Sequence, residues 1–290
     1  MTIREAGPAG FGRARWRLAT AAVLAAGMAA ALVAAPLGAQ QPPANSTLSE
    51  IERYRQMLQD GNPAELMVAK GEDLWKQPRG PKSVSLEKCD LGKGPGVIKG
   101  AYAELPRYFA DADAVMDFES RLVHCMQTLQ GIPRAEAVKK PYSGAGESAT
   151  DLESLTAYVV EESRGVTIAV PQKHAKEVEA FKRGEKIFFF RGGPYDFSCA
   201  SCHAVDDQRI RLQELPNLTK QEPARRAFAQ WPAYRVSQGA LRTMQWRLYD
   251  CFRQQRFPEL KYLSPASVDL ITFLGVNANG GKMDSPAIKR

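Results

Sequence analysis

Hydrophobic and polar positions along this 290-residue chain follow helical spacing rather than the alternation typical of strands. Apolar side chains recur three to four residues apart in segments 48–58, 118–129 and 236–253. The pair Asn62-Pro63 predicts the start of a further helix, because proline is favoured at the first helical position after an N-cap. Strand signals are scarce, so the pattern predicts a mainly α protein.

The first 39 residues differ in composition from the rest of the chain. Four arginines precede an almost uncharged run, rich in Ala, Leu and Val, from Leu18 to Ala35. This is the pattern of a secretory signal peptide, and cleavage is predicted after Ala39, with Ala35 as the alternative. A retained membrane anchor is the rival interpretation, because the run approaches the length of a spanning helix. The signal peptide predicts export to the periplasm, with no membrane association after cleavage.

Removing residues 1–39 lowers the formal charge from +7 to +4. The remaining chain is mildly basic and has no basic run interleaved with aromatic residues, so we expect no nucleic-acid binding. With 44% hydrophobic and 24% charged residues, the composition is that of a globular protein, and the length allows two domains.

The five cysteines all follow the signal peptide, in a compartment where disulfides form. Residues 199–203 read Cys-Ala-Ser-Cys-His, the attachment pattern of a c-type haem. Cys199 and Cys202 can join the two vinyl groups of one porphyrin, and His203 then binds the iron as proximal ligand. The alternatives are a redox pair, which needs a βαβ setting that the flanks lack, and a zinc site, which needs two more ligands at short spacing.

The second iron ligand separates electron carriers from catalysts. Its candidates are Met244, Met283, His174 and Cys251. In the predicted helix 236–253, Met244 and Cys251 lie near one face, so they compete for the same iron. A methionine at helical spacing is most often a core residue.

The two halves of the sequence resemble each other, which favours Cys251. Residues 106–125 align without a gap with residues 232–251, and six of the twenty positions are identical. This alignment, at an offset of 126, pairs Cys125 with Cys251. Nearer the front of each half, residues 71–75 align with residues 184–188 at an offset of 113.

The offset of 113 also pairs Cys89 with Cys202, whereas Leu86 and Asp90 stand where the second half has its first attachment cysteine and its proximal histidine. The first half therefore cannot hold a c-type haem. Its two cysteines are at the positions of an attachment thiol and an axial thiol, so we predict a disulfide between Cys89 and Cys125.

These alignments predict two cytochrome c-like helical domains related by an internal repeat, at residues 40–165 and 166–290, of which the first has lost its haem. Cys251 is then the cysteine left over, opposite His203 across the single haem. A thiolate on iron lowers its reduction potential, which suits a catalyst better than an electron shuttle.

Arg247 stands one helical turn before Cys251. Its charge would favour the thiolate, and its planar fork of donors would orient an anionic substrate. Pairing with a haem propionate or a surface acid is the alternative role for Arg247. Arg209 and Arg211, just after the haem motif, are the expected propionate partners.

The chain resembles the SoxA family, the catalytic cytochrome subunits of the SoxAX complexes of bacterial thiosulfate oxidation. The resemblance rests on residues 199–203, on Arg-Leu-Tyr-Asp-Cys at 247–251, on Cys-Asp-Leu-Gly-Lys-Gly-Pro-Gly at 89–96 and on residues 121–125. The family includes two-haem members and single-haem members with a disulfide in the first domain. This chain is similar to the single-haem members.

The resemblance implies a haem-dependent L-cysteine S-thiosulfotransferase that joins thiosulfate to a cysteine of the carrier SoxYZ. It implies one covalently bound haem c with His203 and Cys251 as axial ligands. It also implies that Cys251 is the reactive sulfur, held as a persulfide in some members, and that Arg247 lies in the substrate site. Joining thiosulfate to a thiol removes two electrons and one haem takes one at a time, so the small cytochrome subunit SoxX is the expected partner in a heterodimer.

Two other functions are compatible with these residues. A non-catalytic electron-transfer cytochrome would use Met244 or His174 as its distal ligand and leave Cys251 inert. A redox sensor would respond to sulfide or nitric oxide at Cys251. The sequence assigns no role to His124, and none to His174 outside the electron-carrier alternative.

Overall fold

The computed structural model describes residues 53, 57, 61–210 and 213–289. The predicted signal peptide with its cleavage site, most of the predicted helix 48–58, and Arg211 lie outside the described residues. No helix in the described part of the chain is both long enough and apolar enough to cross a membrane.

The described part of the chain is mainly helical, as predicted. Its α-helices are α1 (Ala64–Lys76), α2 (Phe118–Cys125), α3 (Arg134–Ala137), α4 (Asp151–Glu161), α5 (Ala175–Phe189), α6 (Cys199–His203), α7 (Gln221–Ala229), α8 (Met244–Gln254) and α9 (Pro265–Asn277). A π-helical turn, Met126–Gln130, continues α2, so these two elements together account for the predicted helix 118–129. Three short 3₁₀ turns are Leu86–Lys88, Tyr102–Glu104 and Val236–Gln238.

Short strands connect the helices, and the sequence analysis did not locate them. They are β1 (Arg107–Phe109), β2 (Ala114–Met116), β3 (Arg209–Ile210), β4 (Gln213–Glu214), β5 (Ala233–Arg235), β6 (Ala240–Arg242) and β7 (Ala287–Lys289). The pairs β1–β2, β3–β4 and β5–β6 are antiparallel, and β7 runs parallel to β5.

The predicted helix 236–253 was wrong at its start, because α8 begins only at Met244. Gly239 takes a left-handed conformation with φ of 57°, which reverses the chain and lets residues 240–242 pair as a strand with β5. Thr243 then caps the helix: its side chain accepts a hydrogen bond from Trp246 N at 3.2 Å.

The same helix crossing occurs once in each half. In the first half α1 packs on α4, and in the second half α5 packs on α9. Gly71 and Gly184 lie at these crossings, where a β-carbon would overlap the carbonyl oxygen of Ser154 or of Asp269. In each pair the helices can approach this closely only because the residue at the crossing is glycine. The two glycines are 113 residues apart.

The repeat-related segments have matching local structure in the later part of each half as well. Asp117 caps α2 by accepting a hydrogen bond from the residue three positions on, as Thr243 does for α8. The hairpins β1–β2 and β5–β6 have the same register, since Tyr108 pairs with Val115 and Tyr234 pairs with Leu241. The chain therefore uses one local design twice at an offset of 126.

Buried polar contacts join the two halves. Asp117 Oδ2 accepts a hydrogen bond of 2.7 Å from Gln245 Nε2. Arg242 Nη1 donates to Ser143 O at 2.7 Å and lies 3.4 Å from Glu153 Oε1, with both charged side chains almost fully buried. The predicted crossing between the halves, residues 166–171, has no helix, and its Thr167 bridges to Lys282.

Candidate functional site

The haem-attachment run lies on α6, which follows the loop 192–197. Ser198 caps this helix: Ser201 N donates to Ser198 Oγ at 3.1 Å, and Ser198 N donates to Ser201 Oγ at 3.0 Å. The cap sets the helical turn that carries Cys199 and Cys202 three positions apart, so both lie on one side of it. Both thiols are half-buried and form no disulfide.

His203 is held in one orientation by the chain that follows the motif. Its Nδ1 lies 2.9 Å from Pro216 O, and a carbonyl oxygen can only accept, so Nδ1 carries the proton and Nε2 keeps its lone pair. Burial lowers the pKa of His203, and the charge of Arg247 lowers it further against the opposing effect of the Pro216 carbonyl. A neutral ring with a free Nε2 is a form in which histidine binds metals.

Cys251 lies on α8 and is half-buried and free of disulfides. Its charge interacts with the thiols of Cys199 and Cys202, so the three sulfurs lie in one region of the second half. Burial raises the pKa of Cys251, and the charge of Arg247 is the largest effect that opposes this rise.

Cys199, the first thiol of the motif, does not have the acidity expected of a redox pair. Burial raises the pKa of Cys199 to about 12, whereas the attacking thiol of a redox pair has a lowered pKa. Among the residues that the structure describes, no three His, Cys, Asp or Glu side chains gather as ligands of one metal ion, as a zinc site requires. Two attachment thiols and one oriented imidazole fit haem c.

Arg247 is weakly paired. Its Nη1 lies 3.6 Å from Asp250 Oδ2, which is longer than a hydrogen bond. Asp250 instead accepts hydrogen bonds from Arg253 Nη2 at 2.8 Å and from Gln254 Nε2 at 2.6 Å. Its guanidinium carbon also lies 6.0 Å from the centre of the Trp231 ring. Within the described residues these contacts leave most of the Arg247 donors free to bind another group.

Arg235 is a candidate that the sequence analysis missed. This residue ends β5 and is half-buried, and its Nε is buried without a hydrogen-bond partner in the described part of the chain. Burial is the main cause that lowers the pKa of Arg235, and the charge of Arg247 is the next, while Asp250 opposes the shift and Cys251 opposes it less. The signal was present in the repeat, because Arg235 aligns with Phe109 at the offset of 126 and so replaces an aromatic side chain with a charge.

The other candidate iron ligands contact the first half or the core. Met244 is buried and lines a small cavity together with Asp117. His174 caps α5, and its ring stacks on Tyr108 with 3.7 Å between ring centroids. Met283 is buried in the core.

Two further residues named from the sequence lie apart from these contacts. Arg209 is exposed on β3, just after the motif. His124 Nε2 lies 3.4 Å from Asp111 Oδ2 on the surface of the first half.

The disulfide between Cys89 and Cys125 is present, and both cysteines are buried. After Cys89 the chain folds around Asp90, whose Oδ1 accepts hydrogen bonds from the N–H groups of Gly92 at 2.6 Å and Gly94 at 3.0 Å. A compact loop and a covalent bond thus lie where the second half has its attachment cysteines and Cys251.

The first half matches a known family. Residues 70–168 match the family model described as SoxA/TsdA, cytochrome c domain. This stretch lacks a C-x-x-C-H motif. The match therefore rests on features of the first half other than a haem-attachment motif.

Two relatives and one solved structure extend the similarity over most of the chain. The L-cysteine S-thiosulfotransferase subunit SoxA of Hydrogenophilus thermoluteolus is 49% identical over 271 residues, which cover 93% of this chain and 98% of the relative. A subunit of the same name from Hydrogenobacter thermophilus is 32% identical over 79% of this chain and 82% of its own length. The crystal structure of SoxXA from P. pantotrophus shares the fold, with a TM-score of 0.66 at 21% identity over 82% of this chain and 84% of that one.

Proposed function

The chain belongs to the SoxA family of L-cysteine S-thiosulfotransferase subunits, and from this premise we propose which of its residues carry out the reaction. The enzyme joins thiosulfate oxidatively to a cysteine of the carrier SoxYZ, and Cys251 is its reactive sulfur. The observation that carries this proposal is a free, half-buried thiol in the same region as Cys199 and Cys202, with the charge of Arg247 beside it.

Haem c is the cofactor implied by the cytochrome c domain of the family. In the proposal Cys199 and Cys202 would hold the porphyrin, and His203 and Cys251 would bind its iron. The hydrogen bond from His203 to Pro216 O supports His203 as an iron ligand, because it leaves Nε2 free. When bound, the haem supplies a one-electron acceptor whose potential a thiolate ligand lowers.

The reaction balances as an oxidation. A thiosulfate dianion and a thiol give a cysteine S-thiosulfonate monoanion, one proton and two electrons. One sulfur–sulfur bond forms and one S–H bond breaks. Arg247 binds the anion through its free donors, and its charge also favours the thiolate form of Cys251, which is the nucleophilic form of a cysteine.

The two electrons require an acceptor beyond the one haem of this chain. The SoxXA composition of the related crystal structure supports a heterodimer with the small cytochrome SoxX. The proposed site of action is the periplasm, after removal of residues 1–39. The proposed domains are the haem-less half, residues 40–165, and the haem-binding half, residues 166–290.

Replacing Cys251 by alanine in the complex with the partner cytochrome tests the proposal. We expect the low-spin ferric paramagnetic resonance signal of a thiolate-ligated haem to disappear. We also expect the rate of coupling thiosulfate to the carrier to fall at least about a thousandfold, because the reactive sulfur is removed. Met244→Leu is the matched control on the same helix and should change neither.

The opposite outcome would assign a different function. A methionine-type spectrum that survives Cys251→Ala and is lost in Met244→Leu would make Met244 the distal ligand. The chain would then be an electron carrier rather than the transferase subunit that the family name implies.

A further inference from the structure

We propose that Arg235 and Arg247 together bind the sulfonate group of thiosulfate, so that Arg235 is a second substrate-binding residue. This inference rests on the proposed function, in which thiosulfate reacts at Cys251. It adds a residue that neither the haem motif nor the run at 247–251 contains.

Arg235 and Arg247 both lie near Cys251. Arg235 has a buried Nε with no hydrogen-bond partner among the described residues, and Asp250 is the carboxylate whose charge acts on it. The acid closest to Arg247 is Asp250, which is already hydrogen-bonded to Arg253 and Gln254. Two half-buried guanidinium groups that repel each other are stabilised when an anion binds between them.

In the first half, the arginine that aligns with Arg247 is bonded through two of its three nitrogens. Arg121 Nε donates to Asp90 O at 2.7 Å, and its Nη1 lies 2.8 and 2.7 Å from the two carboxylate oxygens of Asp111. The Arg121 guanidinium also lies 4.1 Å from the centre of the Phe109 ring. An arginine that serves only to hold the structure is satisfied in this way.

The second half has different residues in place of Phe109 and Asp111. At the offset of 126, Arg235 stands at the position of Phe109 and Ser237 at the position of Asp111. The hairpins have the same register, so the exchange alters the side chains and keeps the backbone. The exchange removes the acid that pairs with Arg121 and adds a base, while the acid gained at the position of His124, Asp250, is bonded to Arg253 and Gln254. The second half therefore turns an internally paired arginine into half of an anion site.

The chemistry of the ligand fits two arginines better than one. A sulfonate has three outer oxygens, and each guanidinium presents planar pairs of N–H donors. Two such groups fix both the position and the direction of the anion, and leave its sulfane sulfur directed away from them toward Cys251. A haem propionate offers the same oxyanion chemistry, so the test must separate the two sources.

The test uses the haem-loaded complex with the variants Arg235→Gln and Arg235→Lys. Arg134→Gln removes the same charge from an exposed position of the first half and is the control. We expect Arg235→Gln to raise KM for thiosulfate at least about tenfold with a much smaller change in kcat, because the lost donors bind the anion before and during reaction. Arg235→Lys should recover part of the affinity, because lysine keeps the charge and loses the fork.

Calorimetric titration with sulfate supplies a readout that needs no turnover. The dissociation constant of sulfate should rise in Arg235→Gln by about the same factor as KM and stay unchanged in Arg134→Gln. An unchanged sulfate affinity and KM, together with a shifted haem reduction potential, would assign Arg235 to a propionate and overturn the inference. Failure of the proposed function is distinguishable, since it would appear as coupling activity that persists in Cys251→Ala. If Arg235→Gln does not fold, the raised KM of Arg235→Lys decides the question.

Discussion

The two halves of this protein share an arrangement of helices, called the frame below, and differ in the state of the cysteines that it carries. Gly71 and Gly184 allow the same close helix crossing, and the capped helices α2 and α8 each place an arginine four residues before a cysteine. In the first half that cysteine is in a disulfide, and in the second half Cys251 is free. The comparison teaches that the frame does not depend on the haem.

The difference also shows how to distinguish a structural arginine from a functional one. Arg121 and Arg247 both begin an Arg-Leu-x-x-Cys run. Two nitrogens of Arg121 donate to Asp90 and Asp111, whereas among the described residues the nearest acid to Arg247 is 3.6 Å away. What distinguishes the two arginines is whether neighbouring residues accept their hydrogen bonds, not the residue type. The following variants alter one half at a time and ask whether the other half responds.

The largest effect is expected from removing the disulfide. Cys89→Ala with Cys125→Ala should lower the free energy of unfolding of the first half by about 4 kcal/mol, because the bond closes a loop between residues 36 positions apart. Denaturant unfolding is followed by far-ultraviolet circular dichroism, which reports the helices of both halves, and by haem absorbance, which reports the second half alone. The haem transition should keep its midpoint.

Two results would contradict this prediction. An equal fall in the free energy of unfolding for both transitions would show that the halves unfold as one unit. The disulfide would then also stabilise the haem site. An unchanged first transition would show that packing alone holds the haem-less half together. Glu136→Gln, an exposed substitution in the first half, is the control.

The sequence was sufficient for the features that repeat. The pairing of Cys89 with Cys125 followed from aligning the halves, and the structure has that disulfide. The α-helix 64–76 begins beside the predicted start at Asn62-Pro63, and the α-helix 118–125 falls within the predicted segment 118–129. Periodicity locates such elements because a buried helix face needs apolar residues at regular spacing.

Features that depend on a single backbone conformation were out of reach. Leu241, Met244 and Leu248 satisfy helical spacing, so nothing in the pattern separated the strand residue Leu241 from the helix that starts at Met244. The left-handed conformation of Gly239 makes the separation, and such a conformation is not encoded in periodicity. Arg235 was missed for a related reason, because its significance depends on a hairpin that was not located.

The next effect, about 3 kcal/mol, is expected from adding a methyl group at either helix crossing. Gly71→Ala should destabilise the haem-less half and Gly184→Ala the haem half, because each β-carbon would overlap a carbonyl oxygen of the facing helix. The two unfolding transitions defined above measure both. Gly61→Ala is the control, since no atom lies within 4 Å of its added carbon. A loss of haem absorbance in Gly71→Ala would show that the two crossings are coupled. It would contradict the prediction that each substitution destabilises only its own half.

The smallest effect on stability is expected from replacing a buried acid in the first half, and this effect should depend on pH. Glu119 aligns with Gln245, so the same position of α2 and α8 holds an acid in one half and its amide in the other. Burial raises the pKa of Glu119 well above its ordinary value, and the charge of Asp117 adds to the rise, against the opposing effects of Thr243 and Tyr262. Its Oε2 is buried without a hydrogen-bond partner within the described part of the chain.

Glu119→Gln should therefore stabilise the protein at neutral pH by at least about 1 kcal/mol. Above pH about 4.3 the unfolded chain releases the glutamate proton while the folded chain keeps it, so the free energy of unfolding of the unaltered protein falls by about 1.4 kcal/mol per pH unit until the folded pKa is reached. The variant has no such proton, so the difference between the two should vanish below pH about 4 and grow toward neutral pH. Unfolding in denaturant across this range measures it, with the exposed Glu136→Gln as control. A difference that does not change with pH would mean that Glu119 is already ionised in the folded protein, and that the acid and its aligned amide are held by different neighbours.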